Sequence, residues 1–136
     1  MVAAEDAPEG AVVDAIRPRI LVVEDEFLIR CMISEELREA GYGVVEASSA
    51  DEAVELLSTG TPIDFLISDV KMPGGMDGLD LLKFVRDMHP DLPELMISAH
   101  LEPRLAMLDG TTQFLAKPFA LSEVLEVVQS ELERKL

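Results

Sequence analysis

Acidic, hydroxyl and ammonium side chains lie at the ends of four short apolar segments in this 136-residue chain. The first segment runs directly into Glu24 and Asp25, and a later one ends at Asp69. Two further segments end at Ser98 and Lys117. Three carboxylates held close together repel one another, and a bound cation relieves that repulsion. Because the set offers oxygen ligands and no cluster of His or Cys, it favours a hard ion such as Mg²⁺.

This combination of groups suits phosphoryl transfer. Asp69 is the candidate nucleophile, since a carboxylate can form an acyl phosphate. Lys117 and the hydroxyl of Ser98 can neutralise and hydrogen-bond the phosphoryl oxygens. Each residue also has an ordinary alternative: Asp25 as a helix cap, Ser98 as a turn residue and Lys117 as a solvated lysine. Only their joint arrival at four separate segment ends favours the phosphoryl site.

The elements that must position these side chains are short apolar segments alternating with longer amphipathic ones. The predicted strands are residues 20–23, 43–48, 64–69, 94–98 and 113–117, and 43–48 mixes in polar residues as an edge strand does. Among the helical patterns between them, Gly41 is a predicted C′ residue, and Ser49 with Glu52 is a predicted capping box. The alternation predicts a doubly wound α/β fold with a parallel sheet, whose ligands bind beyond the carboxyl ends of the strands.

The composition restricts partners and location. With 27 acidic against 11 basic residues, the formal net charge is −16, which argues against direct binding to nucleic acid or an anionic membrane. No apolar run approaches the ~20 residues needed to cross a bilayer, and the N-terminus lacks the basic region of a secretory signal. The single cysteine, Cys31, cannot form an internal disulfide, so the cytoplasm is the expected location. Residues 1–18 are predicted to form a flexible acidic tail before one domain, residues 19–136.

Four motifs, ILVVEDE, LISDVKMPGGMDGLDLL, ISAH and FLAKPF, resemble in order and separation the receiver domain of two-component response regulators, over residues 19–136. The resemblance implies a flavodoxin-like (βα)5 fold with strand order 2-1-3-4-5. It implies that Asp69 is the phosphoacceptor. It also implies that Glu24, Asp25, Asp69 and the backbone carbonyl of Lys71 bind Mg²⁺. Lys71 is in addition a candidate for tuning the lifetime of the acyl phosphate.

The same resemblance assigns roles to the later motifs. Ser98 takes the place of the switch hydroxyl, Lys117 that of the phosphate-pairing lysine and Phe114 that of the switch aromatic. The bond from Lys117 to Pro118 is similar to one that is cis in the family. His100 occupies a position that tunes acyl-phosphate lifetime, and a solvent-facing loop histidine is an equal alternative.

The function implied by the resemblance is that of a stand-alone receiver, phosphorylated by a histidine kinase or a histidine phosphotransfer protein. Phosphorylation would shift an equilibrium between two surfaces, to which an unknown protein effector responds. The protein would be no enzyme beyond its own phosphorylation and dephosphorylation, and homodimerisation through the last helix stays open. The alternatives are a pseudo-receiver that is never phosphorylated and a Mg²⁺-dependent phosphohydrolase. The hydrolase usually has a second Asp two residues after its nucleophile, where this chain has Lys71.

Two features depart from the family pattern. Gly74 and Gly75 stand between MP and MDG, where one residue is usual. The insertion is either tolerated or makes a mobile loop that alters metal affinity or kinase docking. The stretch from Ser98 to Lys117 is shorter than the family norm, which leaves a shortened fourth helix of ~two turns that depends on packing. We therefore expect an atypical output face.

Overall fold

The computed structural model describes residues 17–99 and 112–134. Its strands are β1 (Arg19–Val23), β2 (Gly43–Ala47), β3 (Phe65–Asp69), β4 (Glu94–Ser98) and β5 (Gln113–Ala116). Its helices are α1 (Phe27–Glu39), α2 (Ala50–Ser58), α3 (Gly78–Met88) and α4 (Leu121–Arg134). Each predicted strand is present, and the continuously apolar β3 and β4 are buried throughout, as strands covered on both faces of a sheet are.

All five strands are parallel and lie in the order β2-β1-β3-β4-β5, which confirms the predicted flavodoxin-like order 2-1-3-4-5. β1 pairs with both β2 and β3, so β2 is an edge strand as predicted. Val23 is in register with Ser68, which places the next residues, Glu24 and Asp69, side by side at the carboxyl edge. Ser98 is in register with Ala116, so Lys117 follows at the same edge.

Two apolar layers cover the sheet, one on each face. Side chains alternate along the central strands, so that β1 and β3 contribute to both layers. One layer packs Leu21, Val23 and Leu66 against apolar residues of α2 and α3, and the other packs Ile20, Val22 and Ile67 against α1 and α4. Every residue of β3 is buried, as is every residue of β4. Asp69 therefore ends a strand that the core holds rigidly on both faces.

The ends of α1 and α2 confirm most of the predicted helix signals and correct one. Gly41 follows α1 with a φ of 102°, a left-handed conformation that glycine adopts without strain. Ser49 caps α2 and accepts a hydrogen bond from the backbone N–H of Glu52 at 3.1 Å. The second hydrogen bond of the predicted capping box, from the backbone N–H of Ser49 to the Glu52 carboxylate, was predicted wrongly. The Glu52 carboxylate accepts from the backbone N–H of Ser48 at 2.7 Å and from its hydroxyl at 3.0 Å, one residue earlier than expected.

The reciprocal capping box lies at α3, where the sequence analysis did not place one. Asp77 accepts from the backbone N–H of Asp80 at 3.0 Å, and the Asp80 carboxylate accepts from the backbone N–H of Asp77 at 3.0 Å. Gly78 donates its backbone N–H to the carbonyl of Val70 at 2.8 Å. A Cβ at Gly78 would lie only 1.9 Å from the carbonyl oxygen of Asp69. The first turn of α3 thus packs directly on the backbone of the Asp69 segment.

Several predictions concern residues outside the described part of the chain. They are the fourth helix expected within residues 100–112, of which only residue 112 is described, the role of His100, and residues 1–16 of the predicted tail. Among the described residues, no helix combines the length and the apolar character that a bilayer crossing requires.

Candidate functional site

Three carboxylates meet at the carboxyl edge of the sheet. One ligand atom from each of Glu24, Asp25 and Asp69 lies within 4.8 Å of the others. Glu24 and Asp69 are only 2% and 6% exposed, whereas Asp25 faces solvent. The alternative that Asp25 caps α1 is wrong, because the N-cap residue is Glu26 and no side-chain cap bond is present there. The convergence of these acids, expected from the neighbouring strand ends, is found in the structure.

Lys117 reaches into this acidic cluster from the end of β5. Its Nζ lies 3.0 Å from Oδ2 of Asp69 and 3.8 Å from Oε1 of Glu24. Its backbone N–H donates to the carbonyl of Ser98 at 2.9 Å, which extends the β4–β5 ladder by one bond and holds the lysine at the site. Three carboxylates against one ammonium leave a formal charge of −2 at the cluster.

Burial dominates the electrostatics of the two inner carboxyl groups. Desolvation raises the pKa of Glu24 to about 7, although the hydrogen bond from the backbone of Glu26 opposes the rise. Desolvation also raises the pKa of Asp69 above its ordinary value, against the hydrogen bond and charge of Lys117. Burial by itself lowers the pKa of Lys117, but the hydrogen bond and charge of Asp69 and the charge of Glu24 outweigh it, so that this pKa is raised.

The cluster fits a divalent cation. Its donors are carboxylate oxygens, which hard ions such as Mg²⁺ prefer, and its formal charge of −2 balances one such ion. The raised pKa of Glu24 and Asp69 indicates that one lysine supplies too little positive charge for these buried acids. Glu24, Asp25 and Asp69 could therefore hold a metal ion.

The ends of the strands and the segments that follow them place the other predicted site residues. Ser98 is 9% exposed at the end of β4, next to the residue that pairs with Asp69. Lys71 is exposed in the turn after β3. Phe114 is in register with Met96, in the middle of β4, and is 39% exposed. The Lys117–Pro118 peptide bond is cis, as the family resemblance implied.

The contacts that hold Glu24 itself were not predicted from the sequence. Arg30 donates from Nη1 to the carbonyl oxygen of Glu24 at 2.8 Å and from Nε to Oε1 of Glu46 at 3.1 Å. The backbone N–H of Glu26 donates to Oε2 of Glu24 at 3.0 Å. The one feature of the sequence that could have indicated these contacts is the charged Glu46 within an otherwise apolar strand. It suggests an ion pair but does not indicate which basic residue forms it.

The fold and the site together define a flavodoxin-like protein with an acidic pocket and a lysine at the carboxyl edge of its sheet. The family model described as the response regulator receiver domain matches residues 20–129. The chain belongs to the response regulator receiver family.

Several longer proteins contain a region that is similar to this chain. The chain is 38% identical over 120 residues to the sensor kinase CckA of Brucella abortus, which covers 85% of this chain and 13% of that protein. It is 36% identical over 113 residues to the DNA-binding transcriptional regulator NtrC of Escherichia coli, which covers 81% of this chain and 24% of that protein. The chain spans 51% of the response regulator MprA of Mycolicibacterium vanbaalenii at 38% identity. It therefore corresponds to a part of each of these relatives.

Solved structures of receiver proteins are also similar to this chain. The chemotaxis protein CheY4 of Vibrio cholerae is similar with a TM-score of 0.73 at 33% identity, covering 84% of this chain and 98% of that one. A response regulator receiver protein of Sinorhizobium medicae has a TM-score of 0.82 at 27% identity, covering 88% of this chain and 97% of that one. The receiver-domain resemblance of the motifs is thus confirmed.

Proposed function

We propose that Asp69 accepts a phosphoryl group from a phosphohistidine on a histidine kinase or a histidine phosphotransfer protein, in a reaction that depends on Mg²⁺. The observation that carries this proposal is the 3.0 Å contact between Lys117 Nζ and Asp69 Oδ2 within a cluster of three carboxylates. Phosphoryl transfer requires mainly positioning and charge stabilisation, which is what this arrangement offers.

The acids have distinct tasks in this proposal. Glu24, Asp25 and Asp69, with the backbone carbonyl of Lys71, would hold Mg²⁺, which when bound offsets negative charge on the phosphoryl oxygens. Asp69 lies at the end of a fully buried strand, so its carboxylate keeps a fixed direction toward an incoming donor. Asp25 faces solvent, where a partner approaches.

The transfer itself exchanges one bond for another. An oxygen of Asp69 forms a bond to phosphorus while the P–N bond of the phosphohistidine breaks, and its electron pair returns to the imidazole, which takes up a proton. The Lys117 ammonium, 3.0 Å from Asp69 Oδ2 beforehand, then pairs with a phosphoryl oxygen. The hydroxyl of Ser98 donates a hydrogen bond to the same group. The exposed ring of Phe114 can turn inward in response, which changes the surface that a protein effector meets.

The alternatives from other classes have less support. A pseudo-receiver has no use for the buried acids Glu24 and Asp69 beside Lys117, which are costly to keep. A phosphohydrolase usually has an acid two residues after its nucleophile, where this chain has Lys71. Action as a stand-alone receiver, homodimerisation and a cytoplasmic location stay predictions. The relatives carry the matched region within longer proteins, whose activities do not transfer directly.

An acetyl phosphate assay tests the proposal. With Mg²⁺, the wild-type protein should acquire one acid-stable, base-labile phosphoryl group, and Asp69→Asn should acquire none. Asp64→Asn is the matched control, since Asp64 precedes the same strand at its opposite end and bonds the backbone N–H of Arg19. Continuous release of phosphate from phosphomonoesters would support the hydrolase, and absence of label on the wild type would support the pseudo-receiver. Either result would contradict the proposal.

A protein donor needs a surface beside Asp69, and an apolar groove of about 440 Å³ adjoins the site. We assign this groove to the phosphohistidine-bearing partner, because its wall includes Lys117, which contacts Asp69. The neighbouring Phe27 and Leu28 of α1 are 64% and 73% exposed, and an exposed apolar patch of this kind marks a contact surface. The groove is lined by Ile29, Met32, Ile33, Lys117, Pro118, Phe119 and Leu121.

Substitutions at two exposed methionines, Met32 and Met88, distinguish an effect on partner docking from an effect on phosphoryl transfer. Met32→Glu should slow transfer from a phosphorylated kinase about tenfold, as loss of a contact worth roughly 1.4 kcal/mol does. Labelling by acetyl phosphate should be unchanged, because a small donor needs no groove. Met88→Glu is the control, since Met88 is similarly exposed at the end of α3 and is no part of the groove. Equal slowing in both variants would refute the assignment.

A further inference from the structure

We infer that Arg30 is a positioning residue, which holds the segment carrying Glu24 and Asp25 in the conformation that binds the cation. The inference rests on the proposed Mg²⁺-dependent function and adds a residue to it. Arg30 stands in the first turn of α1, on the face toward the end of β2, and its side chain is only 15% exposed. Arg30 is not one of the residues that would contact the ion or the phosphoryl group.

The guanidinium of Arg30 joins two acceptors that lie far apart in the sequence. Its Nη1 donates to the carbonyl oxygen of Glu24 at 2.8 Å, and its Nε donates to Oε1 of Glu46 at 3.1 Å. The ring of Phe27 lies against the same group, with its centroid 5.4 Å from Cζ. A planar guanidinium presents its donors at fixed angles, so these two bonds set the position of the Glu24 carbonyl relative to β2.

The strand ends complete a closed ring of contacts. The backbone N–H of Glu24 donates to the carbonyl of Ala47 at 3.1 Å, and Ala47 directly follows Glu46. Both backbone polar groups of Glu24 are therefore fixed, one by β2 and the other by Arg30. The Glu24 carboxylate is in turn held by the backbone N–H of Glu26 at 3.0 Å. Asp25 thus stands between two residues whose backbones are already constrained.

This constraint matters for an exposed ligand. Fixing a backbone segment costs conformational entropy, so a ligand segment that is ordered before the cation arrives binds it more tightly than a loose one. Asp25 faces solvent and has no buried surroundings of its own to hold it. Contacts that orient a metal ligand from outside commonly change metal affinity by ~10- to 100-fold.

The chain contains a matched comparison for Arg30. Arg38, two turns further along α1, contacts the same acid: its Nη2 lies 3.1 Å from Oε2 of Glu46. Its side chain is 46% exposed, and the bond described for it ends at Glu46 without reaching the backbone of Glu24. Replacing either arginine by methionine removes one positive charge and one ion pair with Glu46. Only the Arg30 change removes the bond to the Glu24 carbonyl.

The test compares the Mg²⁺ affinity of wild type, Arg30→Met and Arg38→Met by calorimetric titration of the unphosphorylated protein. Arg30→Met should raise the Kd for Mg²⁺ by about tenfold, and Arg38→Met should leave it within about twofold. The acetyl phosphate rate of Arg30→Met should recover to the wild-type value at saturating Mg²⁺, since Arg30 touches no reacting atom. If Arg30→Met fails to fold, Arg30→Lys provides the measurement. It keeps the charge but cannot bridge both acceptors, so it should weaken binding severalfold.

Failure of the Arg30 inference and failure of the proposed function give different results in this test. Equal Kd values for Arg30→Met and Arg38→Met would overturn the inference, as would wild-type affinity in Arg30→Lys where that variant is the one measured. A rate for Arg30→Met that stays low at saturating Mg²⁺ would also overturn it, since that result places Arg30 in the chemistry. If the wild-type protein binds no Mg²⁺ and takes up no phosphoryl group, the proposed function itself has failed.

Discussion

Glu24 combines deep burial with a shortage of nearby positive charge. Its carboxyl group is 2% exposed, has Lys117 at 3.8 Å and shares its surroundings with Asp69. Desolvation raises its pKa to about 7, from the 4.5 of an ordinary glutamate. The metal-free protein therefore holds a proton on Glu24 more tightly than the unfolded chain does, and this difference has a measurable consequence for stability.

The free energy of unfolding of the metal-free protein should fall as the pH rises from 4.5 to about 7, because folding raises the pKa of Glu24 across that window. A proton held by the folded state stabilises it below pH 4.5, and this contribution is lost by the time the pH passes the folded value. The raised pKa of Asp69 acts in the same direction. Each of these two carboxyl groups should contribute at most about 1.4 kcal/mol per pH unit to the slope, and urea denaturation at a series of pH values in EDTA measures it.

Glu24→Gln provides the control for this profile. The amide does not titrate, so the variant should lose much of the slope and exceed the wild type in stability at pH 8. Parallel profiles for the two proteins would show that Glu24 does not carry the effect. Asp69→Asn should flatten the remainder, since the two carboxyl groups share one low-dielectric site.

The residues that end strands were the predictable part of the site. Glu24 and Asp25 follow β1, Asp69 ends β3 and Lys117 follows β5, and parallel strands bring such ends to one edge. Arg30 was not predictable in this way. Its acceptor is a backbone carbonyl, which every residue has, so nothing in the sequence distinguishes the one that it bonds.

At the level of elements, the connection from β3 to α3 decides how Asp69 is presented. The capping box of α3 and the bond from Gly78 N–H to the Val70 carbonyl bring the helix start onto the strand end. Of the two glycines that stand where one residue is usual, Gly74 has a φ of 113°, which favours glycine, whereas a Cβ at Gly75 would meet nothing within 4 Å. Gly75 therefore fits the interpretation of a tolerated insertion.

Gly78→Ala should destabilise the protein by roughly 1–3 kcal/mol, because its Cβ would lie 1.9 Å from the Asp69 carbonyl oxygen and the backbone must move. The move displaces Asp69 itself, so the rate of labelling by acetyl phosphate should fall as well. Gly75→Ala, in the loop before α3, is the matched control and should change stability by less than about 0.5 kcal/mol. Thermal unfolding followed by circular dichroism measures both, and equal stability of the two variants would contradict the prediction.

The strands were predicted more accurately than the helix caps. β3 and β4 are buried along their whole length, which leaves little freedom in where they begin and end. A cap depends on which of several adjacent backbone groups a side chain reaches. Glu52 bonds Ser48 where the pattern indicated Ser49, and Asp77 with Asp80 form the box that the sequence analysis missed.

For the whole molecule, charge is the dominant feature. The formal net charge of −16 destabilises the compact state by self-repulsion, and three carboxylates of this excess are concentrated in one pocket. Salt should therefore act by two routes. Any electrolyte screens the general repulsion, whereas a divalent ion bound by Glu24, Asp25 and Asp69 adds a specific contribution from linkage to folding.

We expect MgCl2 to raise the melting temperature more than NaCl does at equal ionic strength. At ten times its Kd, a ligand of the folded state adds about 1.4 kcal/mol, which corresponds to several degrees for a domain of this size. Asp25→Asn should lose the Mg²⁺-specific increment and keep the response to NaCl. Asp87→Asn, an exposed acid on α3, removes the same charge and should keep both responses. If Asp25→Asn gains as much from Mg²⁺ as Asp87→Asn does, the cation acts by screening alone, and the acidic cluster is not its binding site.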